Sequence, residues 1–135
     1  MRESLRVSDM MSRELITFAP EMEIMRAVSI MVEQDISGAP VVDADGQLVG
    51  MLTERDCIET AAHSGYFDEL GGRVAEYMSS PVETVSPETS LMDLAERLLA
   101  SRYRRYPVVE DGRLIGLISR RDVLKALKRS SWFGA

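Results

Sequence analysis

Apolar positions change their period several times along the chain. Leu15-Ile16-Thr17-Phe18 and Val82-Glu83-Thr84-Val85 are short apolar or alternating runs stopped by Pro20 and Pro87, which predicts two short strands. Ile24, Ala27, Val28, Met31 and Val32 then recur at three-four spacing, as do Leu91, Leu94, Ala95, Leu98 and Leu99. That is the period of a helix burying one face. Met22, Met25 and Met31 lie at similar spacing and read as core filling, since methionine adapts to irregular gaps. Pro40-Val41-Val42 and Gln47-Leu48-Val49-Gly50-Met51-Leu52 flank Asp45-Gly46, a hairpin signal that Asp111-Gly112 repeats. A second helix is predicted from Thr53 through Ile58, and again from Ser119 through Leu124. The order strand, helix, strand, strand, helix therefore occurs twice.

The two passes are copies. VSDMMSRELITFAPEMEIM from Val7 aligns with VAEYMSSPVETVSPETSLM from Val74, and APVVDADGQLVGMLTERD aligns with YPVVEDGRLIGLISRRD. The offset is 67 residues up to Glu110 and 66 beyond it, because the second copy has one residue fewer in its turn. This predicts repeat 1 over residues 7–62, a connector over 63–73 with Gly65, Gly71 and Gly72, repeat 2 over 74–128 and a tail over 129–135. A unit of about 55 residues is marginal alone, so the copies are expected to bury apolar faces against each other.

Composition narrows the function. With 45% hydrophobic and 28% charged residues the chain is ordinary globular material. No apolar run approaches a membrane span, and MRESLRVSDMM has no stretch resembling a signal peptide. One cysteine, Cys57, excludes an internal disulfide, and one histidine, His63, leaves almost nothing for a zinc site. The expectation is a cytoplasmic domain without a metal. Charge is segregated: residues 1–101 carry 7 Lys/Arg against 19 Asp/Glu, whereas residues 102–129 carry 9 against 3. The acidic total argues against non-specific nucleic-acid binding, but a local basic cluster can hold a small anion or form a solvated helix face.

The chemistry concentrates in Gly50-Met51-Leu52-Thr53-Glu54-Arg55-Asp56 and its copy Gly116-Leu117-Ile118-Ser119-Arg120-Arg121-Asp122. A strand ends, a hydroxyl residue follows, and an aspartate comes three positions later. Thr53 and Ser119 suit helix N-caps, with Asp56 and Asp122 in a first turn that favours negative charge. The same carboxylates are also suited to accept hydrogen bonds from paired ligand hydroxyls, as an acid does with a ribose in dinucleotide folds. Both roles are compatible.

With Met11-Ser12 and Met78-Ser79, Pro40 and Pro107 opening Pro-Val-Val, and the two G-x-x-[ST]-x-x-D segments, residues 7–128 resemble a tandem pair of CBS domains, named after cystathionine β-synthase. The resemblance implies an α+β fold of two β-α-β-β-α repeats packed with pseudo-two-fold symmetry and two clefts. It implies a regulatory module that binds AMP, ADP, ATP or S-adenosylmethionine there, sensing the energy state of the cell and signalling to a partner in trans. It further implies a homodimer, no prosthetic group and no enzymatic activity. A ligand-free dimerisation or interaction module is the alternative.

Carried over by resemblance, one cleft uses Thr53 and Asp56, with Ser80, Pro81, Val82 and Tyr103 along the base and Arg104 and Arg105 on the phosphates. The other uses Ser119 and Asp122 with Arg13, Glu14, Leu15 and Ile36. There Ser37 and Gly38 stand where the first cleft has its two arginines. Arg55 and Arg121, each beside its aspartate, are further candidates for phosphate contact. Guanidinium groups make bidentate contacts with phosphate that Ser-Gly cannot, so the Asp56 cleft is expected to prefer the more phosphorylated ligand.

His63 is read as a surface histidine and Cys57 as a buried thiol, since no general base accompanies it. Gly71-Gly72 lacks the context of a phosphate loop. Trp132-Phe133 is left as either a partner-docking pair or a frayed tail.

Overall fold

A computed structural model describes residues 5–64 and 70–131. Gly65 and the pair Trp132-Phe133, singled out above, lie outside the described residues. Helices α1 (Val7–Met10) and α2 (Ile24–Glu33) precede strands β1 (Gly38–Val42) and β2 (Leu48–Thr53), which lead into α3 (Glu54–Ser64). The order then recurs as α4 (Val74–Tyr77), α5 (Leu91–Ala100), β3 (Arg105–Glu110), β4 (Arg113–Ser119) and α6 (Arg120–Ser131). No helix among the described residues is long and apolar enough to cross a membrane.

The strands expected at 15–18 and 82–85 are single-residue bridges. Phe18 and Val85 each pair in parallel with the hairpin of their own repeat, at Val41 and Val108. Phe18 N–H donates to Pro40 and its carbonyl accepts from Val42, and Val85 repeats this with Pro107 and Val109. Pro20 and Pro87 end each segment two residues later, before a longer ladder can form. The short helices α1 and α4 were not expected. They arise where Val7 and Val74 drive an apolar anchor fully into the core.

The chain divides into two compact units that do not follow the repeat boundaries. A continuous unit spans Ile16–Val82, and a split unit joins residues up to Leu15 with those from Glu83 onward. Backbone bonds fix the exchange: Val7 N–H donates to Thr89 and Leu91 N–H to Leu5 in the split unit. In the continuous unit Val74 N–H donates to Met22 and Ile24 N–H to Gly72. Each unit thus holds one repeat's leading helix against the other repeat's hairpin and helices.

Each unit has its own core. Phe18, Ile24, Ala27, Met31, Val41, Leu52 and Val74 cluster in the continuous unit. Val7, Val85, Leu94, Leu98, Tyr106, Val108 and Ile118 cluster in the split unit. Each fully buried aliphatic or aromatic side chain contributes about 1.5–3 kcal/mol. Two positions expected inside the helix stripes point outward: Val32 is 74% and Leu99 87% exposed. Of the methionines read as core, Met31 is buried but Met25 is exposed. The buried stripe is therefore narrower than the apolar pattern, centred on Ile24, Ala27 and Met31 in α2 and on Leu91, Leu94 and Leu98 in α5.

The hairpins are antiparallel, with Gly38 opposite Thr53 and Arg105 opposite Ser119. The second closes through Asp111 and Gly112, both at positive φ, in the two-residue form that Asp-Gly favours. The first is one residue longer and is tied by Asp43 Oδ1, which accepts from the amides of Asp45 and Gln47.

Candidate functional site

Each hairpin ends at the hydroxyl-x-x-aspartate turn and starts a helix there. Thr53 N–H donates to Asp56 Oδ2 at 2.9 Å, and Asp56 N–H donates to Thr53 Oγ1 at 3.1 Å. In the split unit Ser119 N–H donates to Asp122 Oδ2 at 2.8 Å, and Asp122 N–H donates to Ser119 Oγ at 3.3 Å. These are reciprocal capping boxes with aspartate in the third helical position. The capping role therefore holds at both sites, and it occupies one oxygen of each carboxylate.

The other oxygen differs. Ser79 sits beside β2, paired with Met51, and its hydroxyl donates to Asp56 Oδ1 at 3.2 Å. Ser12 holds the matching place beside Leu117, but its hydroxyl turns to the Glu14 carbonyl at 3.5 Å. The Ser119 hydroxyl donates to Asp122 Oδ2 at 3.0 Å, Oδ1 has no hydrogen-bond partner among the described residues, and Asp122 lines an open depression of about 470 Å³. Gly50 and Gly116 permit these close approaches. A Cβ on either would lie 2.4 Å from Met78 Sδ or 2.6 Å from Met11 Sδ, and about as close as 3.1 and 3.0 Å to the Ser79 and Ser12 carbonyls.

Register groups the basic pair with Asp122. Arg104 and Arg105 are expected beside Asp56 by resemblance; in the split unit Arg105 pairs with Ser119, and Arg120 N–H donates to the Arg104 carbonyl at 3.0 Å. Both arginines line the depression around Asp122. Conversely Ser37, grouped with Asp122, accepts from Glu54 N–H at 2.8 Å, and Gly38 faces Thr53. Ile36 packs against the core of the continuous unit. The physical reason is that a hairpin ties the residues before its first strand to those after its second. Tyr103 also lies in the split unit, its ring 5.6 Å from that of Tyr106. Tyr106 is held by Ser101 at 3.0 Å and by the Arg97 guanidinium 4.6 Å above its ring. This cluster anchors the stretch that presents Arg104 and Arg105.

Ser80, Pro81 and Val82 follow Ser79 in the continuous unit, with Asp56. Arg13, Glu14 and Leu15 follow Ser12 in the split unit, with Asp122; the Arg13 guanidinium donates to the Ser8 carbonyl at 3.3 Å. Arg121 lines the Asp122 depression, whereas Arg55 forms an ion pair with Glu59 at 3.6 Å.

The two depressions differ in charge. Around Asp122, Arg104, Arg105, Arg120, Arg121 and Lys125 supply five cations against one carboxylate. Around Asp56, a depression of about 500 Å³ is lined by Glu59, Thr60, His63 and Tyr77, with no Lys or Arg. His63 belongs to the last turn of α3 rather than a connector, with Nδ1 2.8 Å from the Glu59 carbonyl. Arg120, Lys125, Glu59 and Tyr77 were not anticipated. Helical spacing from the aspartate signals two of them, Glu59 and Lys125, since 56 and 59 or 122 and 125 share a face. Behind Asp56, Cys57 is buried, and burial first, then the neighbouring carboxylate, pushes its thiol pKa up. No group of His, Cys, Asp and Glu among the described residues could hold a metal ion.

Two repeats of mixed helix and strand, each carrying this turn, define the class. The CBS domain family matches residues 7–63 and 74–129, and the chain belongs to that family. Its structure is similar to that of CBSX2 crystallised in complex with AMP, with a TM-score of 0.82 and 30% identity over 93% of this chain and 98% of that one. It is similar also to the CBS domain pair of MJ0100, crystallised with 5-methylthioadenosine and S-adenosyl-L-methionine. That match has a TM-score of 0.78 and 26% identity, covering 95% and 99% of the two chains. Among sequences, protein MJ1225 of Methanocaldococcus jannaschii is 31% identical over 126 residues, 93% of this chain but 44% of the relative. The chain thus spans less than half of that relative's length.

Proposed function

We propose that this chain is a regulatory, non-catalytic module that binds adenosine-containing ligands beside its two aspartates and signals to a partner protein in trans. The carrying observation is Asp122: one oxygen caps α6, and the residue lines a depression rimmed by five cations. A carboxylate so placed suits a ribose diol, and arginines in its wall suit a phosphate. AMP in CBSX2, and 5-methylthioadenosine with S-adenosyl-L-methionine in the MJ0100 pair, support this ligand class.

The Asp122 site is the one assigned to phosphorylated ligands such as AMP, ADP or ATP, reversing the expectation from sequence. The Asp56 site, with Glu59 and without Lys or Arg, suits adenosyl compounds lacking phosphate. A ligand shifts a conformational equilibrium only by its differential affinity for the two states, so nucleotide occupancy at Asp122 is the signal. We place the module in the cytoplasm, as a homodimer reading adenylate levels for an effector. The capping bonds favour one rival reading, an interaction module whose aspartates serve only the helices.

Calorimetric titration with AMP, ATP, S-adenosylmethionine and a guanine nucleotide, repeated on Asp122→Asn and Asp56→Asn, separates them. An asparagine carbonyl at the third helical position can still accept from the Thr53 or Ser119 N–H, so both variants keep most of their stability. The expected result is loss of AMP binding in Asp122→Asn, with Asp56→Asn retaining it. No adenosyl ligand binding to the wild-type chain would leave the interaction module standing.

A further inference from the structure

The charge of the chain divides between its two units. The continuous unit carries 3 Lys/Arg against 12 Asp/Glu, and the split unit 13 against 10. The acidity of the whole chain therefore belongs to one unit, and the other is basic in its own right. Within the split unit the basic residues gather on two neighbouring stretches. The loop before β3 reads Ser-Arg-Tyr-Arg-Arg over residues 101–105, and α6 opens with Arg120 and Arg121. The Arg120 amide bonded to the Arg104 carbonyl holds the two stretches together.

Along α6, Arg121, Lys125, Lys128 and Arg129 follow the spacing that sets side chains on one helix face. All four are exposed, and so are Arg102, Arg104 and Arg120. The row from 121 to 129 is about 12 Å long at roughly 1.5 Å per residue. Only part of it serves the Asp122 depression, since Lys128 and Arg129 lie beyond the lining. The Arg129 guanidinium donates to the Met10 thioether at 3.0 Å, a weak and uncharged acceptor. A mononucleotide in the depression leaves the far half of this row without an anion, whereas a chain of phosphates can run its length.

A second feature is aromatic. Tyr103 is 43% exposed and stands between Arg102 and Arg104, its ring 5.6 Å from that of the buried Tyr106. Tyr106 is fixed in turn by Ser101 and Arg97, so the exposed ring rests on a packed base. An exposed ring flanked by guanidinium groups offers a stacking surface to an unpaired base. Bases within a duplex are already stacked on one another and cannot use it.

We infer that the split unit binds single-stranded nucleic acid, its phosphates following the basic face of α6 and a base stacking on Tyr103. The inference goes beyond the adenosyl reading and does not depend on it. Asp122 serves the nucleotide site and not the strand, whereas Lys128 and Arg129 serve the strand and not the nucleotide site.

The test is fluorescence anisotropy of the full chain with a labelled oligouridylate about 12 nucleotides long, which carries no adenine. The expected result is binding whose logarithm falls against that of salt with a slope of about −3, as about four phosphate contacts require. Lys128→Ala with Arg129→Ala should make that slope shallower by about 1.4 and leave AMP binding by calorimetry unchanged. Tyr103→Ala should weaken the oligonucleotide roughly tenfold, and Tyr103→Phe should restore it. Asp122→Asn should keep the oligonucleotide even where AMP is lost. Absence of binding at about 50 mM salt would overturn the inference. So would equal affinity for a duplex of the same length, or inorganic polyphosphate binding as tightly while Tyr103→Ala changes nothing. Each of these failures leaves the adenosyl reading intact, because that reading is decided by AMP and Asp122.

Discussion

The turn at Thr53-Asp56 and the turn at Ser119-Asp122 are built from the same backbone, yet their surroundings have diverged. In the first, Ser79 satisfies the free carboxylate oxygen, and acids and His63 line the space beyond. In the second that oxygen is left over, and arginines crowd the rim. The scaffold is conserved between repeats because capping and hairpin register need it. The difference in charge between the two depressions is set by a few side chains outside the motif. A repeated motif therefore predicts two places, and only its neighbours predict two affinities.

The largest expected effect breaks the contrast at its basic end. Replacing Arg104 and Arg105 by alanine removes two donors, and hydrogen bonds to charged groups are worth about 1.5–3 kcal/mol each. AMP affinity measured by calorimetry should fall roughly 100-fold or more, with 5-methylthioadenosine binding unchanged. Equal loss of both ligands would show that the arginines hold the fold rather than a phosphate.

Next comes a test of whether the two scaffolds are equivalent. Gly50→Ala and Gly116→Ala each drive a Cβ against a methionine thioether and a serine carbonyl. Overpacking of this kind costs about 1–3 kcal/mol, so each variant should melt several degrees lower by calorimetry. Matching losses would sharpen the comparison; a loss confined to one unit would mean the two turns are not equally built.

The smallest effect concerns the thiol present in only one unit. Cys57 lies behind Asp56 with its pKa raised by burial and then by that carboxylate. At neutral pH the thiol is protonated whether folded or unfolded and contributes no pH dependence. As pH climbs past the usual thiol value of about 8.5, the unfolded chain ionises first and folded stability declines. Urea melts between about pH 8 and 9.5, below the tyrosine range, should show this decline in the wild type and a shallower one in Cys57→Ala. Identical slopes would mean the thiol is not effectively buried.

Much of this was legible beforehand. The doubling, the hairpins and the capping turns follow from local signals, since Asp-Gly and Thr-x-x-Asp act within a few residues. The placement of Arg104 and Arg105 beside Ser119 was legible too, since a hairpin closing at Asp111-Gly112 puts Arg105 opposite Ser119. Other features were not readable. Whether Ser12 or Ser79 turns to its aspartate depends on a side-chain choice that the identical Met-Ser pairs do not distinguish. Val32 and Leu99 fit the helical stripe by period, and only the packed structure reveals that they point outward.

The exchange of leading helices has a consequence for descent. Because α1 packs with the second repeat's helices and α4 with the first's, a solitary ancestral repeat would have had to lend its opening segment to a neighbour and borrow one in return. Carrying both copies in one chain makes that loan internal, so the flanks of each turn differ in charge while the exchange is kept.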